Sequence, residues 1–240
     1  MEAVITILPG DGVGPDVSAA AKQVLDAVAE KYRHTFNYHE ALIGGAAIDA
    51  TGDPLPPATI EKCAASDAVM LGAVGGPKWS DPNAKVRPEQ GLLKIRSVLG
   101  VYANIRPVKI YSQLTGASPL KRRILKDVDL LVVRELTGGI YFGKKTRTES
   151  SASDLCEYTV AEIERIVRVA ASLAAGRRGK LCSVDKANVL ETSRLWRAVT
   201  DRVMADDFPQ IQLETLLVDA AAMHLLSRPS SFDVMVTENM

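Results

Sequence analysis

Val4-Ile5-Thr6-Ile7-Leu8-Pro9-Gly10-Asp11-Gly12-Val13-Gly14-Pro15 is the stretch that decides the fold. Residues 4–8 form a short apolar run of the length of a buried strand. A proline and three glycines then break it. Pro15 suits the first turn of a helix, where its missing N–H costs nothing. Beyond it, Val17, Ala21, Val24, Leu25 and Val28 recur at helical spacing and are expected to face inward. The order is therefore strand, glycine loop, helix. The glycines stand at Gly10-x-Gly12-x-Gly14, one residue short of the GxGxxG fingerprint, so the loop does not read as a Rossmann dinucleotide site.

Working outward, further strands are expected over 36–42, 68–74, 101–110, 129–133, 140–142, 181–184, 213–218 and Val234–Thr237. Helices are expected over 59–65, 90–99, Val160–Ala175, 191–204 and 220–226, where apolar residues follow a helical period. Such alternation predicts an α/β fold. Residues 144–157 are polar and rich in Ser and Thr, and read as a disordered loop or an extended arm. Residues 232–240 carry neither a polar tail nor a closing helix. The strand there is expected to run out into empty space, as in a fragment of a longer polypeptide.

The 240 residues carry no net charge, so no field for nucleic acid is expected. Apolar residues make up 47% of the chain, ordinary for a globular protein, and no apolar run approaches a membrane span. Cys63, Cys156 and Cys182 are odd in number and widely spaced, which argues for buried thiols in a reducing compartment. With no room for a signal peptide, a cytoplasmic location is expected. Trp79 and Trp196 are expected to pack in the core or at its rim.

The arginines are more informative. Arg96, Arg106 and Arg134 each fall at the end of an apolar element, where an unpaired guanidinium is expensive. Arginine grips carboxylates bidentately, so three would suit a dicarboxylate; three structural ion pairs explain the spacing equally well. Tyr141 lies in Gly138-Gly139-Ile140-Tyr141-Phe142-Gly143, and Lys186 in Ser183-Val184-Asp185-Lys186-Ala187-Asn188 just past a strand. Both side chains can do acid–base work, although each taken singly is an ordinary packing or surface residue. Asp219 follows a strand and is either a hard metal ligand or a helix cap.

Taken together, the stretches 8–15, 74–79, 134–143 and 183–190 resemble the isocitrate/isopropylmalate dehydrogenase family of β-hydroxyacid oxidative decarboxylases, in family order along the whole chain. The closest signature is Arg87-Pro88-Glu89-Gln90-Gly91-Leu92-Leu93-Lys94-Ile95-Arg96. Isocitrate-specific members place a hydroxyl residue on this helix; here leucines stand instead, and a pocket unable to pair a third carboxylate rejects it.

The resemblance implies a two-domain fold. Residues 1–100 would be the N-terminal part of an NAD-binding domain whose C-terminal part is missing. Residues 101–240 would be a substrate and dimerisation domain, with an arm at about 144–157. It implies NAD- and Mg2+- or Mn2+-dependent conversion of (2R,3S)-3-isopropylmalate to 4-methyl-2-oxopentanoate in leucine biosynthesis. Arg96, Arg106 and Arg134 would bind carboxylates, and Leu92 and Leu93 the isopropyl group. Gly76, Pro77, Lys78, Trp79 and Glu89 would border the nicotinamide. Lys186 would be the base and Tyr141 the proton donor. Lys186 and Asp219 would reach into the partner's site in a homodimer with shared active sites, Asp219 touching substrate and the metal. The other two metal carboxylates would lie beyond Met240, so the 240-residue chain itself is expected to be inactive. No nucleic-acid or membrane partner is expected. The alternatives are a related D-malate, tartrate or homoisocitrate dehydrogenase, or a non-catalytic dimerising fragment.

Overall fold

The computed structural model describes residues 1–81 and 83–240, which divide into two compact units, Met1–Gly100 and Val101–Met240. The first unit runs β1 (Glu2–Gly10), α1 (Gly14–Tyr32), β2 (Thr35–Glu40), α2 (Gly44–Thr51), α3 (Pro57–Ala64), β3 (Ala68–Ala73) and α4 (Pro88–Val98). Its sheet has the order β2-β1-β3, with every pair parallel. Leu8, Ile43, Leu55, Cys63 and Ile95 form its buried core.

Helix α1 does not bury the face expected. Val17 and Val24 are exposed, while Gly14 and Ser18 are buried. The cause is close approach to β3: a Cβ on Gly72 would stand 2.5 Å from Ser18 Oγ and 2.6 Å from the Gly14 carbonyl oxygen. Small residues on both sides bring the helix down on that line and turn the valines outward.

The helix α2 is absent from the sequence expectation. Its start is organised from a distance by Asp11, whose buried carboxylate accepts the backbone N–H groups of Gly45 (2.6 Å), Ala46 (2.5 Å) and Gly75 (3.1 Å). One side chain thus satisfies helix-terminal donors and joins the β1–α1 loop, α2 and the exit of β3.

The second unit runs β4 (Ala103–Lys109), α5 (Arg122–Leu125), β5 (Asp129–Glu135), β6 (Lys145–Arg147), β7 (Ala152–Asp154), α6 (Val160–Ala175), β8 (Lys180–Asp185), α7 (Glu191–Asp207), β9 (Gln212–Leu217), α8 (Val218–Ser227) and β10 (Val234–Thr237). Its main sheet has the order β4-β5-β10-β8-β9, with only β4 antiparallel. Helices α6 and α7 bury Ile163, Ile166, Val167, Trp196, Val199 and Val203 against one face. Cys182, Val184, Ala221, Phe232 and Met235 fill the other. Thr159 and Glu162 form a reciprocal capping box at the start of α6.

Three expectations need correction or resolution here. Strand β10 does not run into empty space; it lies between β5 and β8, with Val234, Met235 and Val236 buried. Residues 140–142 are not a strand. Gly139–Tyr141 is a short 3-10 turn, because Gly139 adopts φ +71° and the Ile140 N–H bonds the Asn239 carbonyl instead of a ladder partner. The polar 144–157 segment holds an antiparallel ribbon, β6 on β7, fully exposed and closed by the Thr146–Ser153 hydroxyl pair.

Trp196 is fully buried and donates to Ser183 Oγ at 3.1 Å. All three cysteines are free; burial pushes their thiols up, Cys182 to about 12. Among the described residues no helix is long and apolar enough to cross a membrane.

Two predictions follow from buried carboxylates. Replacing Asp11 with Ala orphans one buried and two half-buried N–H groups and is expected to cost about 3 kcal/mol, read as a lower urea midpoint by tryptophan fluorescence. A midpoint within error of wild type would remove Asp11 from this role. Glu238, just past β10, is buried, with Oε2 accepting from Ser193 (3.0 Å) and Oε1 unpartnered. Burial, reinforced by Asp185, pushes its carboxyl up to about 7, against the Ser193 bond. The folded state thus holds a proton that the unfolded chain has already released, so Glu238 drains stability as pH rises from about 4.5 to about 7. Glu238→Gln is expected to raise the melting midpoint by about 5 °C at pH 8 and by little at pH 5; an equal shift at both pH values would assign the titration elsewhere.

Candidate active site

The second unit gathers chemistry along one edge of its sheet. Strands β5, β10, β8 and β9 are parallel, so their carboxyl ends share that edge, the usual location of sites in open α/β sheets. The β4–β5 register sets Asn104 opposite Arg134 and Arg106 opposite Val132. Side chains two apart on a strand share a face, so Arg106 and Arg134 are diagonal neighbours on one face with Asn104 between. Arg106 Nε donates to Asn104 Oδ1. Arg134 stands 5.1 Å over the Tyr141 ring and donates to Asn239 Oδ1 from Nε (3.2 Å) and Nη2 (2.7 Å). Among the described residues no carboxylate pairs with Arg106 or Arg134.

The turn that carries Tyr141 is anchored by Glu135, which is fully buried. It accepts from the Thr137 N–H (3.0 Å), the Gly138 N–H (2.7 Å) and Arg165 (3.4 Å). Arg165 lies over the Tyr102 ring at 4.4 Å. Tyr141 itself is 43% exposed.

Lys186 and Asp219 make a separate pair. Lys186 follows β8, Asp219 lies in the first turn of α8, and Lys186 Nζ bonds Asp219 Oδ2. That ammonium holds the Asp219 carboxyl below its ordinary value. Neither residue bonds Arg106, Arg134 or Tyr141 among the described residues.

On the first unit, α4 buries Pro88, Gly91 and Ile95. The adjoining stripe carries Glu89, Leu92, Leu93 and Arg96, spaced i, i+3, i+4 and i+7. Four residues named from sequence thus share one helix face, with Leu92, Leu93 and Arg96 half-buried. Gly75 adopts φ +100°, a backbone conformation that favours glycine, and an added Cβ would stand 3.1 Å from Glu89 Oε1. Lys78 and Trp79 are tied instead to Asp49, at 2.6 and 3.4 Å, and the Trp79 ring covers Gly45.

The metal expectation fares differently. Among the described residues no group of three His, Cys, Asp or Glu side chains comes together to hold an ion. Asp219 offers one carboxylate, already engaged by Lys186.

Asn239, Asn104, Glu135 and Asp49 were not singled out in the sequence. Asn239 carried a usable signal, an amide three residues past the buried run 234–236.

Comparison with known proteins gives the family. The family model described as isocitrate/isopropylmalate dehydrogenase matches residues 4–240. The 3-isopropylmalate dehydrogenase of Rhodopirellula baltica is 55% identical over the whole chain, which spans 68% of that protein. That of Bacillus subtilis is 52% identical, with 67% of it covered. The chain thus spans about two thirds of the length of these relatives. Among solved structures, the isocitrate dehydrogenase of Methylococcus capsulatus superposes with TM-score 0.83 at 30% identity, over 99% of this chain and 67% of that one. The Thermus thermophilus protein TT0538 gives the same TM-score, with 46% of it covered. The chain belongs to the isocitrate/isopropylmalate dehydrogenase family.

Proposed function

We propose that this chain serves NAD-dependent oxidative decarboxylation of (2R,3S)-3-isopropylmalate to 4-methyl-2-oxopentanoate and CO2, a step toward leucine. The observation that carries the reading is Arg134, a guanidinium with no carboxylate partner among the described residues, set over Tyr141 and diagonal to Arg106. Two arginines on one sheet face suit a dicarboxylate. Leu92 and Leu93 favour a branched aliphatic group over the third carboxylate of isocitrate or homoisocitrate and over malate or tartrate, which carry no alkyl branch. The relatives named for 3-isopropylmalate, at 52–55% identity, point the same way against 30% for the isocitrate enzyme.

In this reading Arg96, Arg106 and Arg134 hold the carboxylates, and Leu92 and Leu93 contact the isopropyl group. Gly76, Pro77 and Glu89 border the nicotinamide, while Lys78 and Trp79 hold their loop to Asp49. NAD, when bound, supplies the hydride acceptor. Lys186, once deprotonated, takes the C2 hydroxyl proton as hydride leaves C2. The C3 carboxylate departs as CO2, its bonding electrons pass into an enolate, and Tyr141 delivers a proton to C3 to restore the ketone. Residues 1–100 then form the cofactor part and residues 101–240 the substrate and dimerisation part. Asp219 is 69% exposed on its side chain, and α8 exposes Met223 and Leu226. These features suit a second copy that receives Lys186 and Asp219, with the β6–β7 ribbon as the arm. Asp219 would give that copy's metal one ligand. Three free thiols suit the cytoplasm.

The test is NADH formation by the protein purified from its own cells, with Mg2+, NAD and either 3-isopropylmalate, D-malate or isocitrate. Turnover confined to 3-isopropylmalate is expected; comparable isocitrate turnover would overturn the leucine-pocket assignment. In the same assay Lys186→Met is expected to lower kcat by about a thousandfold or more while sparing substrate binding. Near-normal kcat would take Lys186 out of the mechanism.

A further inference from the structure

Asn239 is 1% exposed and uses every polar atom it has. Its Oδ1 accepts from Arg134 Nε and Nη2, and its Nδ2 donates to the Gly138 carbonyl at 2.9 Å. Its backbone N–H donates to the Tyr158 hydroxyl at 2.6 Å, and its carbonyl accepts from the Ile140 N–H at 3.4 Å. One residue therefore grips the Arg134 guanidinium and both sides of the turn that carries Tyr141. Gly139 makes the approach possible: an added Cβ would meet the Asn239 carbonyl oxygen at 2.5 Å and the Tyr158 hydroxyl at 2.6 Å.

The chemistry of the amide matters. A guanidinium offers a side edge, Nε with Nη2, and an end edge, Nη1 with Nη2. Asn239 occupies the side edge only. The end edge is left for a bidentate carboxylate, and because an amide is neutral the full positive charge remains available to it. An aspartate would cancel that charge and set an acceptor against the Gly138 carbonyl.

We propose that Asn239 is a positioning residue, which fixes the end edge of Arg134 relative to the Tyr141 hydroxyl and so couples substrate grip to proton delivery. The proposal rests on the functional reading above. It takes two kinds of measurement on the natural protein, so that a failure of either can be told apart.

The first needs no turnover. The Arg134 Nε–H resonance in NMR is protected from solvent exchange in wild type and loses that protection in Asn239→Ala; unchanged protection overturns the proposal even if the substrate assignment fails. The second is kinetic. Asn239→Ala is expected to raise KM for 3-isopropylmalate about tenfold and to lower kcat about tenfold, since grip and proton delivery both slip. Asn239→Asp, which keeps the size and the Arg134 contact, is expected to raise KM at least as much. In an Arg134→Gln background, Asn239→Ala should add nothing to KM yet still lower kcat. A variant that melts earlier but keeps wild-type KM and kcat per folded molecule shows a merely structural residue. KM effects that multiply across the double variant show that Asn239 does not act through Arg134.

Discussion

Everything in the second unit depends on the insertion of β10 between β5 and β8. Four residues, Val234 to Thr237, pair in register with Leu131–Arg134 on one side and Leu181–Val184 on the other. Their side chains reach both cores, since Val234 and Val236 join the α6–α7 layer and Met235 the opposite one. The same pairing aligns the carboxyl ends of four parallel strands. Arg134, Asn239, Lys186 and Asp219 are near one edge for that reason and for no local one.

Around this frame the sheet ends are stitched by charge that is paired before it is buried. Asp233, fully buried at the head of β10, bonds Arg177 Nε and the Arg178 N–H, both at 2.8 Å. Asp185, at the end of β8, takes Arg197 at 2.8 and 2.9 Å. Such pairs add little net stability, but losing one partner strands the other, so they fix register more than they strengthen the fold. Glu238 is the exception, a buried carboxyl with no cation to meet it, and it answers by holding its proton toward neutral pH.

The sequence disclosed elements whose stability is local and hid those set from elsewhere. Helix α6 could be placed to its ends because Thr159 and Glu162 cap it and its apolar period is unbroken. Helix α2 escaped notice because Gly44 and Gly45 weaken any helical signal and its N-terminal donors are satisfied by Asp11, more than thirty residues away. The Gly139–Tyr141 turn read as a strand because Ile-Tyr-Phe favours one, whereas Tyr158 and Asn239 impose the bend. Of the candidate site residues, Leu92, Leu93 and Arg96 were legible as members of one helix, whereas Glu89 joined them only once α4 proved to begin at Pro88. Arg106 with Arg134 needed the strand register, and Asn239 needed the whole sheet.

The position of β10 also has a consequence for how the chain matures. Ribosomes deliver β5, β8 and β9 before the strand that must lie between the first two. Until it emerges, the inner edges of β5 and β8 face each other unsatisfied, each able to recruit a stray strand from a neighbour. A nascent chain of this design gains most from a chaperone just when α8 has formed and the gap is still open.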